Sequence, residues 1–217
     1  MKTINSILCL LVTALAAPAA AEPTFIQRSR TSSESANAGI TVIAPDYSSA
    51  TYLNLDLRAT TTTSDLTQDS GTPPISFSST SLSLTAQIYA ADGSTESLNG
   101  AAELPAGSYS LSNSAASVSG VPVTLYGYRY GADGTYSFVS RTVIVTASWA
   151  AMSTFSRDSA TCTSGGGYRA QSRSSSMTYD ASFSGAILDE AGSNLIATGD
   201  VIAGIGSGSS ASYIAFN

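Results

Sequence analysis

Histidine is absent from all 217 residues, and lysine occurs once, at Lys2. Without histidine there is no Ser-His-Asp triad and no Cys-His pair. With Lys2 at the extreme N-terminus, Ser-Lys dyads, Schiff-base lysines and phosphate-binding P-loops are excluded from the body of the chain. Cysteine occurs twice, at Cys9 and Cys162, too few for a zinc cluster. Charged residues make up 11% of the chain, against about a quarter in ordinary proteins. The charge present is acidic, with a formal net of −6. A surface of this sign disfavours nucleic acid and anionic membranes, which need a basic partner. No ten-residue stretch carries a helical apolar period. Beyond the N-terminus nothing approaches the 18 apolar residues of a spanning helix, so no membrane insertion is expected.

What is present begins with MKTINSILCLLVTALAAPAAAEPTF. A positive Lys2, an apolar run from Ile7 to Ala17 and the small triplet Ala19-Ala20-Ala21 have the order of a secretory signal peptide, spanning 1–21 with Glu22 as the first mature residue. The expected localisation is therefore periplasmic, extracellular or cell-surface. The mature chain keeps 8 Arg against 15 Asp plus Glu, a formal charge of −7.

The dominant period is two. In TYLNLDLRA, Leu53, Leu55 and Leu57 alternate with Asn54, Asp56 and Arg58. SLSLTAQIYA, VPVTLYGYRY, TYSFVSRTVIVTASW and MTYDASF repeat the pattern, which is that of half-buried strands. Asp92-Gly93, Asp133-Gly134 and the stretch from Glu190 to Ser193 punctuate these runs as hairpin turns, with glycine supplying positive φ. LPAGSYSLS, residues 104–112, pairs a Pro-Ala-Gly turn with a short strand. The stretch SWAAMSTFS allows one or two helical turns. Short strands between turns predict an all-β fold, an immunoglobulin-like or jelly-roll-type antiparallel β-sandwich over 38–217. Ser-rich residues 22–37 read as a flexible N-terminal arm contributing to self-association or surface attachment. Residues 153–176 read as a long loop, with an internal boundary near 150–176.

Cys162 has no base to activate it, and Cys9 leaves with the signal. It reads as a small, partly buried thiol, with an intermolecular disulfide as the alternative. Most acids sit in turns. No segment has the spaced Asp-x-Asp-x-Asp-Gly loop of a calcium site, so neither metal nor cofactor is expected. Asp189 and Glu190 are adjacent, and adjacent strand residues face opposite ways, so they form no hydrolytic carboxylate pair. No catalytic residue is assigned, and an acid-dependent hydrolase ranks last among the readings. Tyr126, Tyr128 and Tyr130 are two apart and share one face of one strand. Such a row is ordinarily core. Exposed, it would bind a glycan or pack on a partner, since each ring offers apolar area with a polar tip.

VPVTLYGYRYGADGTYSFVSRTVIVTAS resembles the closing hairpin of secreted pilin domains of the spore-coat-U and chaperone–usher type, and SASYIAFN carries the penultimate aromatic of many fimbrial subunits in Phe216. The hairpin ends 69 residues before the C-terminus rather than at it. The resemblance implies a fimbrial-subunit-like protein of the surface. The composition and the absent catalytic groups lead to a non-enzymatic structural, adhesion or interaction role at the cell surface or in extracellular matrix. The alternative is a carbohydrate- or ligand-binding module using the tyrosine row.

Overall fold

Each period-two segment folds as a strand of one antiparallel sheet. The computed structural model describes residues 25–67, 73–164 and 168–216, so the signal peptide expected over 1–21 lies outside it. Its nine strands are β1 (Phe25–Ile43), β2 (Ala50–Thr67), β3 (Ile75–Tyr89), β4 (Thr95–Glu103), β5 (Tyr109–Leu111), β6 (Ala115–Tyr130), β7 (Tyr136–Ser164), β8 (Tyr168–Leu188) and β9 (Asp200–Phe216). Their order is β4-β3-β2-β1-β9-β8-β7-β6-β5, and β4 also pairs with β6. That last pairing joins the two ends of the sheet, so eight strands form a ring and short β5 lies beside β6.

The all-β expectation holds. The two-sheet sandwich is replaced by this closed, next-neighbour meander. Alternation is the same in both architectures, because each buries one face of every strand. SWAAMSTFS, the best helical candidate, lies in β7.

The inward faces carry the core: Ala36, Ala38 and Ile40 from β1, Leu53, Leu55 and Leu57 from β2, Leu82 and Leu84 from β3, and Val143, Val145 and Trp149 from β7. In β6 the inward set shifts from Ala116 and Val118 to Val121, Val123 and Leu125. A bulge between Val118 and Val121, with Gly120 at φ 64°, makes the shift and keeps all five residues inside.

Six strands run on beyond the ring. One rung reads Ser78, Thr61, Ser32, Ser209, Ser175 and Ser159 across β3, β2, β1, β9, β8 and β7. Hydroxyls bridge neighbouring strands here, as in Thr61 with Ser78 (2.9 Å) and Ser175 with Ser209 (3.1 Å). Two expectations are corrected by this extension. Residues 25–37 are not a flexible arm but the first part of β1, paired with β2 on one side and β9 on the other. A strand held on both edges is not free to be lent to a neighbour. The 153–176 region is not a loop, because 155–164 of β7 pair with 170–179 of β8.

The hairpin turns share one construction. In 90–94, 131–135 and 189–193 the first N–H donates to the last carbonyl, and Gly93, Gly134 and Gly192 sit at φ 80°, 83° and 79°. The turn at 44–49 uses Tyr47 at φ 59° instead. In all four of these turns an aspartate carboxylate accepts from the backbone N–H two residues on: Asp46 from Ser48, Asp92 from Ser94, Asp133 from Thr135 and Asp189 from Ala191.

The Ser48, Ser94 and Thr135 side-chain hydroxyls, followed by the backbone bonds from the same residues, lower the Asp46, Asp92 and Asp133 pKa values below the usual 3.8. A lowered folded pKa gives stability that is present above the unfolded pKa and lost as pH falls through the folded one. Asp56 opposes the trend, since burial raises its pKa against the pull of Arg58. The urea midpoint should therefore hold from pH 7 to 5 and fall below about pH 4. Changing Asp46, Asp92 and Asp133 together to Asn should flatten that fall. An unchanged acid limb in the triple variant would show that these turns do not cause it.

Candidate aromatic groove at the closing seam

The seam between β4 and β6 decides where the tyrosine row lies. Glu96 and Leu98 of β4 and Val123, Leu125 and Gly127 of β6 face inward and are buried. The alternate residues must face out. Tyr126, Tyr128 and Tyr130 do so, with 51%, 46% and 55% of their surface exposed. The row is therefore not core, which corrects the ordinary expectation for aromatics.

The β6–β7 hairpin adds two rings. Tyr128 is opposite Phe138, and Tyr130 is opposite Tyr136. Tyr128 stacks on Tyr136 at 4.7 Å between centroids, and Tyr126 stacks on Phe138 at 6.2 Å. Tyr130 meets Tyr136 edge-on at 4.8 Å, and Tyr128 meets Phe138 edge-on at 5.8 Å. Burial, then the adjacent Tyr128 and Tyr130 phenols, raises the Tyr136 pKa above its usual 10.0, so the Tyr136 hydroxyl stays a neutral donor near neutral pH.

On the other side of the row β4 supplies polar groups. Ser97 pairs with Tyr128 and Asn99 with Tyr126. Gln87 of β3 donates its amide to the Ser97 hydroxyl at 2.7 Å, which holds both in place. Together Ser97, Asn99, Gly127, Phe138 and the three tyrosines line a shallow groove of about 460 Å³. One wall is a row of rings and the other is hydroxyl and amide.

Tyr136 and Phe138 were legible in the sequence, because the Asp133-Gly134 turn fixes which residues face each other across the hairpin. Ser97 and Asn99 were not, since they meet β6 only through the long-range closure. Tyr52 and Tyr89 form a separate edge-on pair at 6.0 Å on the outer face.

Of the other residues singled out, Asp92, Asp133 and Asp189 cap turns, whereas the Glu190 carboxylate accepts from the Thr142 backbone N–H at 3.3 Å. Cys162 pairs with Ser172 in the β7–β8 ladder, and its side chain lies outside the described residues. Among the described residues no three His, Cys, Asp or Glu converge as a metal site would need, and no helix is long and apolar enough to cross a membrane. Against the acidic balance, Arg28, Arg30 and Arg173 line one concavity together with Asp65, and Arg28 stands 5.9 Å from the centre of the Tyr213 ring. No family model matches the chain, and no curated protein matches it at a significant level.

Proposed function

We propose that this is a non-catalytic, exported binding protein of the cell surface whose aromatic groove takes a glycan. The observation that carries the reading is the exposure of Tyr126, Tyr128 and Tyr130 as one wall opposite Ser97 and Asn99. Aromatic rings stack on the C–H face of a sugar, while neighbouring hydroxyl and amide groups exchange hydrogen bonds with its hydroxyls. Rings stacked on one another along a strand paired on both sides keep the ordering cost of such a site low. A glycan array followed by calorimetry with the best oligosaccharide tests it. Tyr128→Ala should weaken binding roughly 30-fold, about 2 kcal/mol for loss of a central aromatic contact. Tyr128→Phe should keep most of the affinity, because the ring remains. An array with no hit, or equal binding by Tyr128→Ala, would remove the carbohydrate reading.

A second reading, a fimbrial or matrix-forming subunit, is favoured by the edges of the six-stranded extension. Among the described residues β3 pairs over Ile75–Ser79 with β2 alone, and β7 beyond Ala151 pairs with β8 alone. Ile75 and Phe77 lie on the β3 edge and are 65% and 60% exposed. Unpaired edges of this kind accept a strand from another copy. Light scattering on purified protein should then show concentration-dependent growth, suppressed by Phe77→Lys. A monomer at every concentration would end this reading.

A further inference from the structure

At the end of the ring where the 44–49, 90–94 and 131–135 turns gather, the interior is not filled. A cavity of about 540 Å³ opens there, within the range of small-molecule sites. Leu53 and Leu84, Ile88 and Leu98, and Leu125 and Val143 make its apolar wall. The connection from β8 to β9 folds against the mouth and contributes Glu190, Ala191 and Leu195. Asn194 holds that connection, its side-chain oxygen accepting from the N–H groups of Ile187 and Ile196, both at 3.2 Å.

One buried acid lines this apolar space. The side chain of Glu96 is 7% exposed. Its Oε1 accepts from Arg141 at 2.7 Å, while Arg129 stands 4.0 Å away. Its Oε2 is buried with no hydrogen-bond partner. A carboxylate taken out of water normally has its oxygens satisfied, so a buried free oxygen on a residue that lines a cavity calls for a donor. The surrounding charge selects which donor. Arg129 is engaged by the Asp92 carboxylate (3.1 Å) and the Ser94 hydroxyl (3.0 Å), and Arg141 by Glu96. Glu96, Asp189 and Glu190 line the cavity and Asp92 stands beside it, so four carboxylates face two arginines that each already meet a carboxylate, and the local charge disfavours an anion.

We propose that this mouth is a second binding site, separate from the aromatic groove, for a small molecule with an apolar body and a neutral or cationic N–H or O–H donor directed at Glu96 Oε2. The groove site and the mouth lie on opposite faces of β4, so neither needs the other.

Fluorescence titration of the full chain with 1-aminoanthracene, an apolar ring system with one amine donor, tests the proposal. Saturable binding is expected, at least tenfold tighter than for 9-anthracenecarboxylate, which has the same body and an anion in place of the donor. Ala191→Trp, at an exposed turn position on the rim, should weaken the amine probe tenfold or more while thermal unfolding is unchanged. Glu96→Gln should reduce the preference for amine over carboxylate to about threefold or less, because a charge-assisted acceptor is lost. If Glu96→Gln does not fold, the two probes and Ala191→Trp decide the matter alone. Equal affinity for the two probes, no binding of the amine, or binding indifferent to Ala191→Trp would overturn the proposal.

Discussion

Gly127→Ala should abolish the folded ring or weaken it by about 4 kcal/mol or more, the range reserved for backbone clashes and lost networks. Gly127 faces inward on β6 opposite Leu98 of β4. A methyl group there would overlap the carbonyl oxygen of Ser97 and stand 3.0 Å from the Leu98 Cα. Both obstacles are backbone, so no side-chain rotation relieves them. Gly100 across the seam meets the same limit, since its added methyl would overlap the Thr124 carbonyl. Two glycines thus let β4 and β6 approach at a sharp corner, as barrels require where the sheet turns on itself. Only five residue pairs, Thr95–Tyr130 to Asn99–Tyr126, make this closure, so there is little ladder to spare. A loss of about 4 kcal/mol lowers the melting temperature of a domain this size by roughly 8–16 °C. Gly134→Ala, at an exposed turn with open space around it, should cost only about 1–2 kcal/mol. Comparable melting temperatures for Gly127→Ala and Gly134→Ala would show that the seam is not the point of weakness.

The same seam marks the limit of what the sequence discloses. Leu53, Leu55 and Leu57 reveal a half-buried strand because apolar and polar residues alternate, and Asp92-Gly93 or Asp133-Gly134 reveal the hairpins because few other pairs take the needed φ. These signals are local. Closure is not: Gly100 and Gly127 look like ordinary breaks in a strand until β4 and β6 are known to meet. The Ser/Thr-rich strands were hidden for another reason. In residues 29–35 and 170–176 no apolar alternation exists, because both faces of these two segments are polar and adhesion comes from backbone ladders and hydroxyl bridges. The aromatic groove was half legible, its tyrosines by spacing and its Ser97–Asn99 wall not at all. Glu96 gave no sign, since one acid in TESLNG reads as a solvent-facing charge until its strand is given an inside.

The single tryptophan offers the other large effect. Trp149→Ala should cost about 3–5 kcal/mol, the usual loss for a fully buried aromatic. Trp149 is 2% exposed and lies opposite Ala116, near the start of β6, where the ring gives way to the six-stranded extension. Its Nε1 donates to the Asn37 carbonyl of β1 at 2.9 Å, although 112 residues separate the two in sequence. Ala36 and Ala38, the inward residues on either side of Asn37, are small, so the indole can cross the interior to reach that carbonyl. Phe183 of β8 meets the indole edge-on at 5.3 Å. Trp149 therefore closes one end of the core while the cavity beside Glu96 opens at the other. Trp149→Phe keeps most of the apolar area but loses the bond to Asn37, and should cost about 1–3 kcal/mol, the penalty for a buried acceptor left unpaired. Because no other tryptophan contributes, native emission should be blue-shifted and poorly quenched by iodide, and should move to the red in one step on unfolding. Chemical denaturation of the three proteins by far-UV circular dichroism ranks them. Trp149→Ala within 1 kcal/mol of the parent, or emission already red and readily quenched in the native protein, would mean that the indole does not close the barrel.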